Sequence, residues 1–413
     1  MYFCRAKNFE NMNVISRKYY AEKIDAWLGK EQVVVLVGQR RIGKSYILKD
    51  FILRHQKDSD ANIIFIDKEK REFDEIQDYR QLNDYLAQRM DANKHNYILI
   101  DEIQDISDWE RSIRSYRSEP NTDIIITGSN AKMLSSDLST LLAGRYQEIK
   151  VHGLSYNEFL EFHQLDDSDE ALQKYLFYGG LPGLRIVGIE NTENIAEYLQ
   201  SVLNTIILKD VIERHSIRNV TFFNNLLHFI ADNIGKPFSA NNISKAMKAQ
   251  NQDFSTNVVL AYSSYLSEAY LLHQVSRYDI HGKKIFESNG KFYFEDVGIR
   301  NILNGGNHSD DIEKIIENVV FQELLRLGYD VKVGSLRAGE IDFVCTKMSQ
   351  RIYVQVAYII ASKETNQREF GQLAKIADNY PKYVISMTPL VEQSNYNGIT
   401  HIGLRKFLKN GLS

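Results

Sequence analysis

The sequence predicts a multidomain α/β protein, and three observations carry that expectation. Short apolar runs alternate with helical stretches from Glu31 to Val151, helical periodicity takes over beyond them, and a mixed segment follows a polar break near residue 305. Short β-rich runs spaced by helices are the pattern of a parallel sheet with crossover helices. At 413 residues the chain exceeds one ordinary core, since single cores stop growing at roughly 250 to 300 residues.

The apolar runs are VVVLV at 33–37, IIFID at 63–67, YILID at 97–101, DIIIT at 123–127 and YQEIKV at 146–151. Then come the helical stretches LSYNEFLEFHQL and DEALQKYLFYGGLPGLRIV, in which the cluster from Gly179 to Gly183 marks a boundary or hinge. FFNNLLHFIADNI, SANNISKAMKAQ and STNVVLAYSSYLSEA read as three helices, and YLLHQVSRYD, HGKK and KFYFED as a strand, a turn and a strand. Three helices followed by a two-stranded ribbon is the order of a winged helix. After LNGGNHSDD, the helix IEKIIENVVFQELLRLG precedes YDVKVG, GEIDFV, RIYVQVAY and KYVISM, a small mixed α/β domain. The expected divisions are 1–152 for the first core, 153–218 for a helical lid, 219–302 for the winged helix and 308–413 for the last domain.

Bulk composition removes several classes of function. A net charge of −4 gives no global attraction to nucleic acid, so any such contact must be local. Two cysteines far apart, Cys4 and Cys345, encode neither a disulfide framework nor a zinc site. No signal peptide and no apolar run of about 20 residues is present, so a cytoplasmic protein without a membrane span is expected.

GQRRIGKS at 38–45 fits G-x-x-x-x-G-K-[ST] and sits between a β-run and a helical stretch, the context the motif requires. Gly38 and Gly43 let backbone N–H groups, including those of Gln39, Arg40, Arg41 and Ile42, close around phosphates at a helix amino terminus. Lys44 would meet the β- and γ-phosphates and Ser45 would ligate magnesium. ATP and Mg2+ are therefore the expected ligands. Asp101 and Glu102, at the end of YILID, supply the acidic half: Asp101 to hold the magnesium, Glu102 to polarise the attacking water. Thr127, Ser129 and Asn130, ending the next strand, either touch the γ-phosphate or orient water, or else cap the helix AKMLSSDL. Arg145 either senses the γ-phosphate, in cis or across a subunit contact, or forms a structural ion pair.

Taken in order, GQRRIGKS, YILIDEIQDISDWE, ITGSNAKML, LAGRYQEIKVHGLSYNEF and YGGLP resemble the prokaryotic AAA+/STAND-type P-loop ATPases that carry a winged helix and a C-terminal nuclease-like domain. That resemblance spans nearly the whole chain. It implies an ASCE-type core, with the Walker B strand separated from the P-loop strand by another strand. It matches Gly38–Ser45 to Walker A, Asp101 and Glu102 to the Walker B pair, Thr127–Asn130 to the sensor region and Arg145 to the family's Gly-Arg position.

The presumed recognition helix has no Lys or Arg from Ser255 to Tyr265, and residues 236–300 hold eight Lys or Arg against six Asp or Glu. Lys245, Lys248, Lys283 and Lys284 leave contact with a DNA backbone as one reading, and protein docking or a purely structural role as the other; self-association through Arg145 is a further partner reading. The last domain resembles the PD-(D/E)xK restriction-endonuclease-like fold. Asp342 matches the strand acid and Glu317 or Glu323 the helix acid, but Gln355 and Ala357 stand at the Glu-x-Lys positions. Without that carboxylate and lysine, nuclease chemistry is not expected. Lys363, Glu364, Arg368 and Glu369 read as solvated helix charge. The expected activity is ATP hydrolysis driving a switch; the alternative is an ATP-regulated DNA-binding or DNA-processing protein.

Overall fold

The structure is a computed structural model that describes residues 14–129, 142, 144–249, 255–305, 311–337, 339–389 and 391–412. It divides into two compact units: Met1–Val151 with Glu268–Tyr270, and His152–Ser267 with Leu271–Ser413.

In the first unit, helix α1 (Lys18–Asp25) precedes β1 (Val33–Val37), α2 (Lys44–His55), β2 (Ala61–Asp67), α3 (Tyr79–Ala87), β3 (His95–Asp101), α4 (Trp109–Tyr116), β4 (Thr122–Gly128) and β5 (Tyr146–Lys150). All five predicted strands form, and they pair in parallel in the order β2-β3-β4-β1-β5. β4 therefore separates the strand before the glycine loop from the strand that ends in Asp101. Every residue of β1 and β4 is buried, which is why these central strands read as unbroken apolar runs. The core joins Val33, Val35 and Val37 to Ile98, Ile100, Ile124 and Ile126. α2 buries Ile47, Leu48, Phe51 and Ile52 at helical spacing. Phe51 meets Tyr97 of β3 edge-on at 5.3 Å, fixing the helix against the sheet. The register sets Val37 beside Gly128, Ile100 beside Ile126 and Asp67 beside Asp101. The exits of β1, β4, β3 and β2 thus share one edge.

The second unit begins with α5 (Tyr156–His163), α6 (Asp169–Tyr178), α7 (Leu184–Val187) and α8 (Thr192–Thr205), the last running into a π-helical segment, Ile206–Glu213. Ser155 and Glu158 cap α5 reciprocally. Next come α9 (Val220–Asp232), α10 (Ala240–Ala249), α11 (Thr256–Glu268), β6 (Leu272–Asp279), β7 (Lys284–Phe294) and α12 (Val297–Leu303). The chain ends with α13 (Ile312–Arg326), β8 (Asp330–Leu336), β9 (Gly339–Lys347), β10 (Gln350–Ala357), α14 (Lys363–Ala374), β11 (Lys382–Ser386), β12 (Gln393–Tyr396), β13 (Ile399–Gly403) and α15 (Leu404–Asn410).

The three helices and the ribbon expected at 219–302 are present, but the ribbon does not stand alone. β6 pairs in parallel with β8, Arg277–Asp279 against Val333–Ser335. The hairpin thereby edges an eight-stranded sheet ordered β12-β13-β11-β10-β9-β8-β6-β7. Residues 219–302 and 308–413, read from the sequence as separate, share one sheet. Among the described residues no helix is long and apolar enough to cross a membrane.

Candidate functional site

The loop after β1 is built by three residues in the left-handed half of backbone space: Gly38 (φ 151°), Arg41 (φ 67°) and Gly43 (φ 103°). A side chain at 38 would collide with the carbonyl oxygen of Val151, so that position takes glycine. The Ile42 N–H donates to the Gln39 carbonyl at 3.3 Å and closes the turn. Gly43 then leads into α2 with no side chain capping the helix, which leaves its positive end directed at the loop. Lys44, 4% exposed, donates from Nζ to the carbonyls of Gly38 (2.9 Å) and Gln39 (3.1 Å).

The acids stand two strands away on the same edge. Asp101 and Glu102 are buried, and Glu102 adopts the left-handed conformation (φ 54°) that ends β3. Thr127 of β4 binds both: its hydroxyl donates to Asp101 Oδ1 at 2.6 Å and accepts the Glu102 N–H at 3.0 Å. The Ser129 hydroxyl donates to Glu102 Oε2 at 3.1 Å, and the Gln104 amide donates to the same oxygen. Burial pushes Asp101 up to about 6, against the Thr127 and Ser45 hydroxyls that favour its charge, with Glu102 and Asp67 adding to the rise. Burial also opposes the charge on Glu102, but Lys44, Gln104, Arg40 and Ser129 together outweigh it and hold the carboxyl below its usual range. One acid is thus poised to gain a cation, and its neighbour stays ionised without one.

These residues fit a nucleoside triphosphate with magnesium. The Gln39 side chain is fully buried, and neither its amide nitrogen nor its oxygen meets a partner among the described residues. A buried amide left so is costly unless a ligand satisfies it. The Ser45 hydroxyl lies near enough to Asp101 to favour its charged form, which brings together the hydroxyl and carboxylate that such a magnesium uses. Among the described residues no group of three or more His, Cys, Asp or Glu is arranged to hold a metal. A magnesium ion here would therefore share its ligands with phosphate oxygens, its usual habit.

An AAA domain model matches residues 30–160, and a domain of unknown function, DUF8612, matches residues 169–310. An uncharacterized protein of Haemophilus influenzae is 33% identical over 393 residues, 94% of this chain and 96% of that one. The chain belongs to the AAA-type P-loop ATPase family. A second relative of this AAA-type chain, an uncharacterized protein of Methanocaldococcus jannaschii, is 28% identical over 374 residues, 87% of this chain and 81% of that one. Among solved structures, the Walker-type ATPase of Pyrococcus abyssi superposes with a TM-score of 0.51 at 16% identity, over 70% of this chain and 95% of that one. At that identity the likeness concerns the fold alone.

Not every sequence-predicted residue of the AAA domain joins the site. Arg145 is exposed, and its carbonyl accepts the Val33 N–H at 3.2 Å, at the entry of β1. Val33 pairs with Tyr146, so five residues of strand, about 16 Å, lie between Arg145 and the loop. Its neighbour is Arg117, whose pKa burial and the Arg145 charge both lower. The in-cis reading of Arg145 therefore fails: it lies on the opposite edge of the sheet. Asn130, with the expected helix AKMLSSDL, lies outside the described residues. Asp67 was missed. It ends β2 beside Asp101, is buried, and accepts the Glu69 N–H at 3.1 Å; an acid closing IIFID was the available signal.

In the second unit the acids expected of the last domain surround a lysine from the hairpin. Lys291 of β7, 3% exposed, places Nζ 2.7 Å from Glu340, 3.2 Å from Glu317 and 3.8 Å from Asp342. The Tyr293 hydroxyl donates to Glu317 at 2.6 Å, and the Val356 N–H donates to Asp342 at 2.8 Å. Burial disfavours the ammonium, but the three acids prevail and raise its pKa; burial and Glu317 push Asp342 well above its ordinary value. Glu323 instead pairs with Arg326 at 3.1 Å. Glu369, expected on a solvated face, is 4% exposed and paired with Arg368 at 2.6 Å, because α14 turns it toward the sheet and Asp342. Lys283 and Lys284 are exposed at the hairpin turn, and Lys245 and Lys248 on α10.

Proposed function

We propose that this chain binds ATP with magnesium and hydrolyses it, using the cycle as a switch for a partner. The observation that carries the reading is the convergence, at one sheet edge, of the glycine loop, Lys44 and an ionised Glu102 beside a cation-seeking Asp101. Loop amides and the positive end of α2 would hold the phosphates, and Lys44 would exchange the Gly38 and Gln39 carbonyls for the β- and γ-phosphates. Ser45 and Asp101 would hold magnesium, which supplies charge neutralisation at the phosphate oxygens. Glu102, its carboxylate steadied by Ser129 and Gln104, would accept a proton from the attacking water. Arg145 would serve the nucleotide of a neighbouring copy.

Two variants test the assignment. Lys44→Ala should abolish binding of a fluorescent ATP analogue, whereas Glu102→Gln should keep binding and slow turnover by about a hundredfold or more. Hydrolysis by Glu102→Gln at the wild-type rate would remove Glu102 as the base.

A further inference from the structure

Arg40, inside the loop after β1, makes an ion pair of 3.6 Å with Glu69, in the turn after β2. The sheet order puts β4 and β3 between β1 and β2. Three inter-strand steps, about 14 Å, separate the two anchoring strands. A bridge between these turns must therefore cross the exits of β4 and β3, where Thr127, Ser129, Asp101 and Glu102 stand.

Both ends of the bridge are placed by the fold. Arg40 follows Gly38 in the closed turn, and its guanidinium is largely shielded, with 16% of the side chain exposed. It lies near enough to Glu102 to favour that carboxylate. On the far side, the Asp67 carboxylate takes the Glu69 N–H, and its carbonyl takes the Lys70 N–H at 2.9 Å. Lys68 pins the same turn through the carbonyls of Phe73 (2.6 Å) and Ile76 (2.7 Å). Glu69 itself keeps 55% of its side chain exposed. The firm end is thus the turn, the weakly held end is the exposed carboxylate, and the cation lies over the phosphate cleft.

We infer that the Arg40–Glu69 pair is a strap released by nucleotide: Arg40 leaves Glu69 for the terminal phosphate of a bound triphosphate. This rests on the nucleotide reading of the loop. Arg40 then supplies, from the same chain, the cation that Arg145 is too distant to provide in cis. A diphosphate lacks the terminal group and leaves the strap closed, so the turn after β2 reports whether the γ-phosphate is present. A guanidinium suits the exchange because its fork matches carboxylate and phosphate oxygens alike.

The test is the ratio of ATP to ADP affinity, read by calorimetry on the full chain with magnesium. Arg40→Ala should weaken ATP by about tenfold or more and leave ADP within about twofold. Glu69→Gln, at an exposed position that does not threaten folding, should tighten ATP by about two- to fivefold and leave ADP unchanged. Equal effects on both nucleotides, or none in either variant, would overturn the strap. Wild-type protein that binds neither nucleotide would overturn the nucleotide reading itself, a distinct result.

Discussion

Thr127 shows how much one hydroxyl can organise. It sits on the strand between the loop strand and the acid strand, fully buried, and spends its proton on Asp101 and its lone pair on the Glu102 amide. The sequence marked it as a polar residue ending an apolar strand; that it restrains the two acids follows only from the register. Asp101 and Glu102 were legible only in company with the glycine loop, since an acid pair after an apolar strand is often no more than a solvated turn. Asp296 was not legible. It caps α12 through the Ile299 N–H at 3.1 Å and accepts the Gly180 N–H at 2.8 Å, a link made by residues far apart in sequence. Complete burial pushes it up to about 6, with Glu295 adding to the rise against those backbone donors. The folded state therefore holds this proton more tightly than the unfolded chain does. The resulting stability is present below about pH 4 and fades as pH rises to about 6, by about 3 kcal/mol at most. Asp296→Asn should lack that component. Urea midpoints from pH 4 to 7.5 should show a smaller decline in the variant, and parallel curves would refute the shift.

At the scale of elements, burial decided what could be read. β1 and β4 are covered on both faces and announced themselves as apolar runs, whereas β12 has four exposed residues, QSNY, and carries no pattern. The π-helical Ile206–Glu213 was equally hidden, since its wider turn departs from the helical period without any glycine or proline to mark it. The parallel join of β6 to β8 escaped because only three residue pairs make it. Its chemical seal is Lys291, which ties the hairpin to acids on α13 and β9. Removing one partner from a buried ion cluster strands the rest. Lys291→Met should accordingly cost about 3 to 5 kcal/mol in chemical denaturation; a loss below about 1 kcal/mol would mean that water already solvates these acids.

For the whole molecule, the family likeness implied one strand between the loop strand and the acid strand; β4 fills that place in the order β2-β3-β4-β1-β5, and the loop and its acids meet where that order requires. Of the readings open for Arg145 only the one in cis fails, and the sequence held the reason: Arg145 stands just before β5, and in a parallel sheet the strand starts share the edge opposite the loop. Exposed at the entry of β5, Arg145 could meet a nucleotide only on another copy. If it acts there, Arg145→Ala alone should turn over ATP about a thousandfold more slowly. Mixing it with Lys44→Ala, which binds no nucleotide but carries an intact arginine, should restore hydrolysis. A mixture no faster than its components would exclude the trans role.

The glycine at 38 has a further implication for how such motifs travel between proteins. Two things forbid a methyl group there: the loop's own backbone, at φ 151°, and the carbonyl of Val151, the residue after β5 and outside the eight-residue signature. Part of what the signature demands is therefore written outside it. A chain that kept GQRRIGKS but ended its fifth strand a residue early would lose one of the two reasons for glycine and keep the other, the positive φ of the loop.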